Sequence, residues 1–420
     1  MNANLQLKYL QCVRCGKTYP PSARATVCPS CGEDVNRPGI LDLVFADPAD
    51  TGFLKQSILA PQRSKGLWAY EAFLPIHSQV PRITLGEGHT PLIQAPVLAA
   101  HIGLESLWLK NECQNPTGSF KDRIALLVVA KALEAGSRTM ILVSSGNMAV
   151  SVAAYGALAG LETIAIVSPK VSRERMIQIA LYGGRVVAVK GTSSDRLNLC
   201  SAAAEKFGWM NANSPYNPYG PQGAKTISYE LFSQKEGDFF DWVFSPVGFG
   251  CNFVGNWKGF EDLFRLGLIK ELPRMVAVQA QGSPSLVRAF EMGLDEGVPG
   301  PQETIAGGLS QVVTPNSILA LQALRACRGS AIAIKDEEML ATIPLLARTT
   351  GIYAEPAGVA ALTGLIRMAG EGRIKRDEKV LVLISGTGPK DPQSSRFFED
   401  SQFPQIDSSL QELEKAIQEA

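Results

Sequence analysis

Short β-branched runs alternate with helical patterns along most of this chain, and that alternation narrows the possible folds most sharply. Apolar runs of strand length fall at 140–143, 163–167, 185–189, 242–244, 275–279 and 379–384. Helical spacing occupies 149–159, 171–181 and 252–266 between them. Near-continuous apolar strands separated by helices predict an α/β fold, with parallel sheets covered by helices on both faces. At 420 residues, with 45% hydrophobic and 19% charged content, the chain is long enough for a large core and more than one domain. The segment 39–82, with Pro48, Pro61, Pro75 and Pro81, reads as an irregular arm packed on the body. Residues 408–420 read as a polar, peripheral amphipathic helix.

Lys121 is the first candidate for chemistry. It sits in Asn115-Pro116-Thr117-Gly118-Ser119-Phe120-Lys121-Asp122-Arg123, ahead of an apolar helix expected to start near Ile124. Pro and Gly force a tight turn. A lysine half stripped of water there has its ammonium disfavoured and becomes a usable amine nucleophile. That arrangement suits a Schiff base with an aldehyde cofactor.

Three loops follow predicted strands, where α/β proteins place ligands. They are Ser144-Ser145-Gly146-Asn147-Met148, Pro246-Val247-Gly248-Phe249-Gly250-Cys251-Asn252 and Ser385-Gly386-Thr387-Gly388-Pro389-Lys390-Asp391. The glycines of the second let successive amides point at a phosphate, with a helix dipole behind them. Each loop alone also reads as a tight turn or a helix N-cap. Together with Lys121, in this order and at these strand ends, they point to one site. Cys251 reads as a packing thiol, His89 as a hydrogen-bonding loop residue, and Glu355 either as a neighbour of the site or as the start of a helix.

Four of the eight cysteines cluster at the N-terminus. Cys12-Val13-Arg14-Cys15-Gly16 and Cys28-Pro29-Ser30-Cys31-Gly32 are paired turns with twelve residues between them. Such turns make a closed four-sulfur zinc site, structural rather than catalytic. A ribbon lacking metal, or a redox pair, is the alternative. The other four cysteines are scattered, which fits a reducing cytoplasm. Acidic and basic residues balance at 40 each, so neither nucleic acid nor an anionic membrane is the expected partner. No apolar run reaches membrane-spanning length, and the first residues lack the charged and apolar blocks of a signal peptide.

Between Gly86 and Asp391 the chain resembles the fold-type II pyridoxal-phosphate enzymes and, among them, the threonine synthase family. The likeness rests on Leu85-Gly86-Glu87-Gly88-His89-Thr90-Pro91-Leu92, the Lys121 motif, Pro246 to Asn252 with Trp257-Lys258-Gly259-Phe260, Leu272-Pro273-Arg274-Met275, Glu355-Pro356-Ala357 and Gly388 to Asp391. The resemblance implies two αβα domains: a large cofactor domain over 39–139 and 222–400, and a small mobile one over 140–221. A zinc-ribbon-like segment over 1–38 and a C-terminal helix over 401–420 flank them. It further implies that Lys121 binds pyridoxal 5'-phosphate and that Asn147 meets the cofactor's phenolic oxygen. The amides of Gly248, Phe249, Gly250, Cys251 and Asn252 would hold its phosphate, and Ser385 would meet its ring nitrogen. A neutral hydroxyl there favours chemistry at the substrate's β or γ carbon over transamination. Ser144, Ser145, Gly146, Asn147 and Thr117 are the candidates for the substrate carboxylate. A homodimer is the family expectation.

The chain departs from the family where O-phosphohomoserine's phosphate is held. Met148 stands for a Thr, Phe249 for an Asn, and Gly220 for an Arg, the last on one alignment of the 211–223 loop. Hydrogen bonds to a charged group contribute about 1.5–3 kcal/mol each, so losing three weakens phosphate recognition by orders of magnitude. Lys225, Lys258 and Arg173 are the candidate replacements. The sequence therefore predicts a threonine-forming lyase or a paralogue eliminating or replacing at the β carbon of another amino acid. A catalytically inactive zinc-ribbon regulator is the alternative of another class.

Overall fold

A computed structural model describes every residue except 1–4, 33, 35, 36, 236, 396–404 and 420. Those parts of the segments 1–38, 222–400 and 401–420 lie outside the described residues. Its strands are β1 Leu7–Cys12, β2 Thr18–Tyr19, β3 Leu41–Phe45, β4 Leu92–Gln94, β5 Ser106–Asn111, β6 Thr139–Val143 and β7 Glu162–Val167. They continue as β8 Arg185–Ala188, β9 Met210–Asn211, β10 Trp242–Pro246, β11 Arg274–Ala280, β12 Ser330–Ile334 and β13 Lys379–Ile384. All six predicted strands form, within two residues of their expected bounds.

The strands make three sheets. A six-stranded sheet has the order β12-β11-β10-β13-β5-β4, parallel except for β4. A four-stranded parallel sheet has the order β8-β7-β6-β9. Alternate residues of one strand enter opposite cores, as the pleat requires. Leu381 and Leu383 pack with Val243 and Met275 on one face, while Val380, Val382 and Ile384 pack with Phe244 and Val276 on the other. In the smaller sheet Met140 and Leu142 face one core and Ile141 another. Both sheets are thus covered on both faces, which confirms the α/β reading.

The third sheet, antiparallel β2-β1-β3, belongs to the cysteine ribbon. Its strand β3 lies beyond residue 38, so the ribbon sheet reaches Phe45. The segment 39–82 is also more regular than its prolines suggested. It holds β3, a helix Thr51–Leu59 capped by the Asp50 side chain, and a 3₁₀ stretch Arg63–Phe73. Pro48 and Pro61 fall between these elements and Pro75 and Pro81 after the last of them, where they interrupt nothing. Trp68, Tyr70 and Phe73 are buried against the body, as expected of a packed arm. The C-terminal helix Leu410–Glu419 leaves Leu410, Leu413 and Ile417 exposed. No helix among the described residues is long and apolar enough to cross a membrane.

Candidate active site

The C-terminal ends of β6, β10 and β13, with the start of the helix that carries Lys121, open onto one cavity of about 350 Å³. That volume suits a cofactor with a small substrate.

The Lys121 turn is stitched to the loop after β13. Phe120 N–H donates to the Ser385 carbonyl at 3.2 Å, and Thr387 N–H to the Gly118 carbonyl at 2.9 Å. Gly118 has φ +81°, and a Cβ there would lie 2.6 Å from Thr387 Cγ2, so the position admits only glycine without strain. The helix is Lys121–Glu134, starting at the lysine itself and not near Ile124. The gain of a turn follows from Asp122, whose carboxylate accepts from Thr117 N at 2.7 Å and Thr117 Oγ1 at 2.6 Å. Arg123 then enters the protein and bonds Glu112 and Glu230 at 2.7 and 2.5 Å, all three side chains fully buried. Lys110 completes this closed charge cluster, 2.7 Å from Glu230.

Lys121 lines the cavity, with its amine 4.6 Å from the centre of the Phe120 ring. Burial pushes its ammonium below the ordinary lysine range, opposed by the Cys251 thiol and Glu355. That is the direction a lysine nucleophile requires. Ser144, Ser145, Gly146, Asn147 and Met148 also line the cavity, at the mouth of the helix Asn147–Leu158. Asn147 Nδ2 donates to Glu355 at 2.8 Å. Glu355 satisfies both earlier readings: it stands just before the first turn of the helix Pro356–Gly370 and faces the cavity. Burial raises its carboxyl above the usual range. Ser385 lines the cavity, with its hydroxyl 3.3 Å from the Ala357 carbonyl.

Gly248, Phe249, Gly250, Cys251 and Asn252 wrap the N-terminus of the helix Cys251–Arg265 on the same cavity. A Cβ on Gly248 would sit 2.2 Å from the Gly308 carbonyl oxygen, and Gly250 has φ +86°. Asn252 Nδ2 is buried with no hydrogen-bond partner among the described residues. Unused donors at a helix mouth fit a phosphate, so these residues suit the cofactor. Cys251 is a packing thiol: burial raises its pKa, and its sulfur lies 3.3 Å from the Ser214 carbonyl.

Four expected groups are elsewhere. Thr117 is not on the cavity wall, because its hydroxyl is committed to Asp122. Lys225 pairs with Asp262 at 2.8 Å between the rings of Phe45 and Phe73, outside the cavity. Lys258 pairs with Asp42. Arg173 misses the wall, but Arg175, two residues along the same helix, is on it. Gly220 is buried off the cavity, where a Cβ would meet Ile124 Cγ2 at 2.9 Å. His89 is a loop residue, donating its N–H to Glu230 at 2.8 Å.

Sequence reasoning missed Arg175, Lys390 and Asp391 as wall residues. Arg175 Nη2 bonds Asp391 at 2.8 Å, and Lys390 Nζ donates to the Thr117 carbonyl at 2.9 Å. Lys390 and Asp391 had one signal, their place at the end of the strand-following motif. Arg175 had only its helical phase.

Away from the cavity, the sulfurs of Cys12, Cys15, Cys28 and Cys31 lie within 4.8 Å of one another. Gly16 and Gly32, at φ +73° and +74°, close the two turns.

Residues 83–386 match the family described as "Pyridoxal-phosphate dependent enzyme". The threonine synthase of Methanocaldococcus jannaschii is 35% identical over 390 residues, covering 92% of this chain and 93% of that one. The threonine synthase of Halalkalibacterium halodurans is 37% identical over 331 residues, covering 78% and 90%. Among solved structures, an O-ureido-L-serine synthase mutant superposes with TM-score 0.64 at 22% identity, over 79% of this chain and 96% of its own. The processed form of threonine deaminase isoform 2 from Solanum lycopersicum gives 0.63 at 19%, over 89% and 94%.

Proposed function

The chain belongs to the pyridoxal-phosphate-dependent enzymes of fold type II, in the threonine synthase family, and from that premise we propose how its residues divide the work. It is a lyase-class enzyme acting on amino acids by elimination and addition. Pyridoxal phosphate, when bound, withdraws electrons from the substrate's Cα and so labilises its proton. Lys121 Nζ would hold the cofactor, and the same amine, when free, would take and return protons at the substrate's Cα and the carbons beyond it. The amides of Ser144, Ser145, Gly146 and Asn147 orient the substrate carboxylate at a helix N-terminus. The amides of residues 248–252 and Asn252 Nδ2 would hold the cofactor phosphate, and the Ser385 hydroxyl would meet the ring nitrogen. One observation carries the proposal: all of these groups line a single cavity.

The leading reaction is O-phospho-L-homoserine to threonine, supported by the relatives' likeness over nearly the whole chain. A second reading is favoured by the wall itself. Met148 and Phe249 are apolar there. That wall suits β-elimination or β-replacement on an amino acid with another leaving group. Turnover of O-phospho-L-homoserine, O-phospho-L-serine, L-serine and L-threonine, side by side, decides between them. The cofactor assignment is tested first: the purified protein should be yellow, and Lys121→Ala should lose both the visible absorbance and turnover. A colourless wild-type protein after incubation with the cofactor would sink the proposal and leave the inactive zinc-ribbon regulator standing.

We also infer structural zinc on the four cysteines. Zn–S bonds of about 2.3 Å in a tetrahedron give S–S edges of about 3.8 Å, and the Cys12–Cys31 and Cys15–Cys28 pairs lie at 3.8 and 3.7 Å. A cytoplasmic homodimer completes the proposal as a family expectation, measured by light scattering.

A further inference from the structure

We propose that Arg175 determines specificity for the charge of the substrate's side chain, exchanging the Asp391 carboxylate for an anionic group on the substrate. The inference rests on the function proposed above and names its substrate class: amino acids whose side chain ends in an oxyanion, such as a phosphate, carboxylate or sulfonate.

The pair joins two parts of the molecule across the cavity that both residues line. Arg175 stands on the helix Arg173–Leu181, which follows a strand of the smaller sheet, whereas Asp391 stands in the loop after β13 of the larger one. Asp391 is the fixed member. Its N–H donates to the Gly388 carbonyl at 2.9 Å, its Oδ1 accepts from Gln393 N at 3.1 Å, and its side chain is only 7% exposed. Arg175 is the adjustable one, 27% exposed at the end of a long side chain. Only its Nη2 engages Asp391. A guanidinium offers five donors in a planar fork, so further donors remain for a second anion.

The surroundings leave that fork accessible. A Cβ on Gly307 would lie 3.4 Å from Arg175 Nη1, so the glycine keeps bulk off the guanidinium. The other cations of the wall are committed: Lys121 to the cofactor, and Lys390 to the Thr117 carbonyl. Arg175 is therefore the wall cation with donors left for a substrate anion, on a cavity that Met148 and Phe249 also line.

Isothermal titration of the cofactor-loaded protein with paired amino acids tests this. The pairs are O-phospho-L-serine against L-serine, and L-aspartate against L-asparagine. Wild type should prefer the anionic member by roughly tenfold or more, the value of one hydrogen bond to a charged group. Arg175→Gln should erase most of that preference. Asp391→Asn, which removes the competing negative charge, should widen it. Equal binding of both members by wild type overturns the proposal. So does a parallel loss for both members in Arg175→Gln, or a narrowed preference in Asp391→Asn; either makes the pair a latch between the two sheets. Amino acids that bind and turn over without charge preference refute only this inference. Failure to bind any amino acid refutes it together with the proposed function.

Discussion

At the scale of single residues, the Lys121 turn depends on a neighbour whose charge is sensitive to pH. Burial pushes the Asp122 carboxyl up to about 6, against the opposing bonds from the Thr117 hydroxyl and amide. Ser151 and Lys390 also face it and favour the ionised form. The folded pKa lies above the ordinary value of 3.8, so the folded state binds the extra proton. The stability it contributes is complete below 3.8 and is lost as pH rises through about 6. Geometry runs the other way. Only the ionised carboxylate accepts both Thr117 bonds with full strength, so the turn loosens as pH falls through about 6. Cofactor absorbance should thus fall on the acid side with a midpoint near 6, and Asp122→Asn should remove that dependence. An unchanged acid limb in Asp122→Asn would refute the assignment. Lys121 was legible because its flanking Pro, Gly and aromatic announce a turn. Asp122 and Arg123 were not, because a charged residue at a helix start ordinarily faces water. Here Glu112 and Glu230, the latter far away in sequence, neutralise Arg123 inside the core.

At the scale of elements, the glycine loop 248–252, proposed to hold the cofactor phosphate, is defined by what lies against it. Gly248 faces the Gly308 carbonyl so closely that any side chain must displace backbone. Gly248→Ala should cost about 1–3 kcal/mol by overpacking and raise the cofactor Kd by tenfold or more. Gly370→Ala is the control, since nothing among the described residues lies within 4 Å of where its Cβ would stand. Equal melting curves and equal cofactor affinity for the two variants would refute the packing argument. The loop itself could be read from sequence, because its glycines, ambiguous alone, occur together with the Lys121 motif and two other strand-end loops. Its opposing wall at Gly307 and Gly308 could not, since that contact spans about sixty residues of chain. Strands show the same divide. β10, β11 and β13 are continuous apolar runs and were found, but β5 was overlooked because it contains Lys110 and Asn111. Those polar residues are tolerated in a buried strand because Glu230 and Gln234 reach Lys110 at 2.7 and 2.9 Å. β12, Ser-Ala-Ile-Ala-Ile, is too poor in bulky residues to stand out.

At the scale of the whole molecule, the cysteine ribbon is tied to the body at several places. Arg24 donates to the Gly208 and Ala135 carbonyls at 2.9 and 3.2 Å, and Arg14 to Glu296 at 3.0 Å. Tyr219 enters the ribbon's own small core beside Cys12 and Cys28, and its hydroxyl donates to the Ser22 carbonyl at 2.7 Å. Three residues earlier, Tyr216 lines the active-site cavity, and Asn213, Ser214 and Pro215 line it too. The ribbon thus holds one end of a cavity wall. A ribbon of this size has too little apolar core to keep its shape unaided, so its four-sulfur site should supply much of its stability. Stripping the proposed zinc with a chelator should therefore lower the melting temperature and also raise the cofactor Kd, although the site lies outside the cavity. Tyr219→Phe, which removes one hydrogen bond worth about 1 kcal/mol, should shift both in the same direction by less. Elemental analysis should find one zinc per chain before treatment and none after. A metal-free protein with unchanged cofactor affinity would show that the ribbon and the active site are energetically independent.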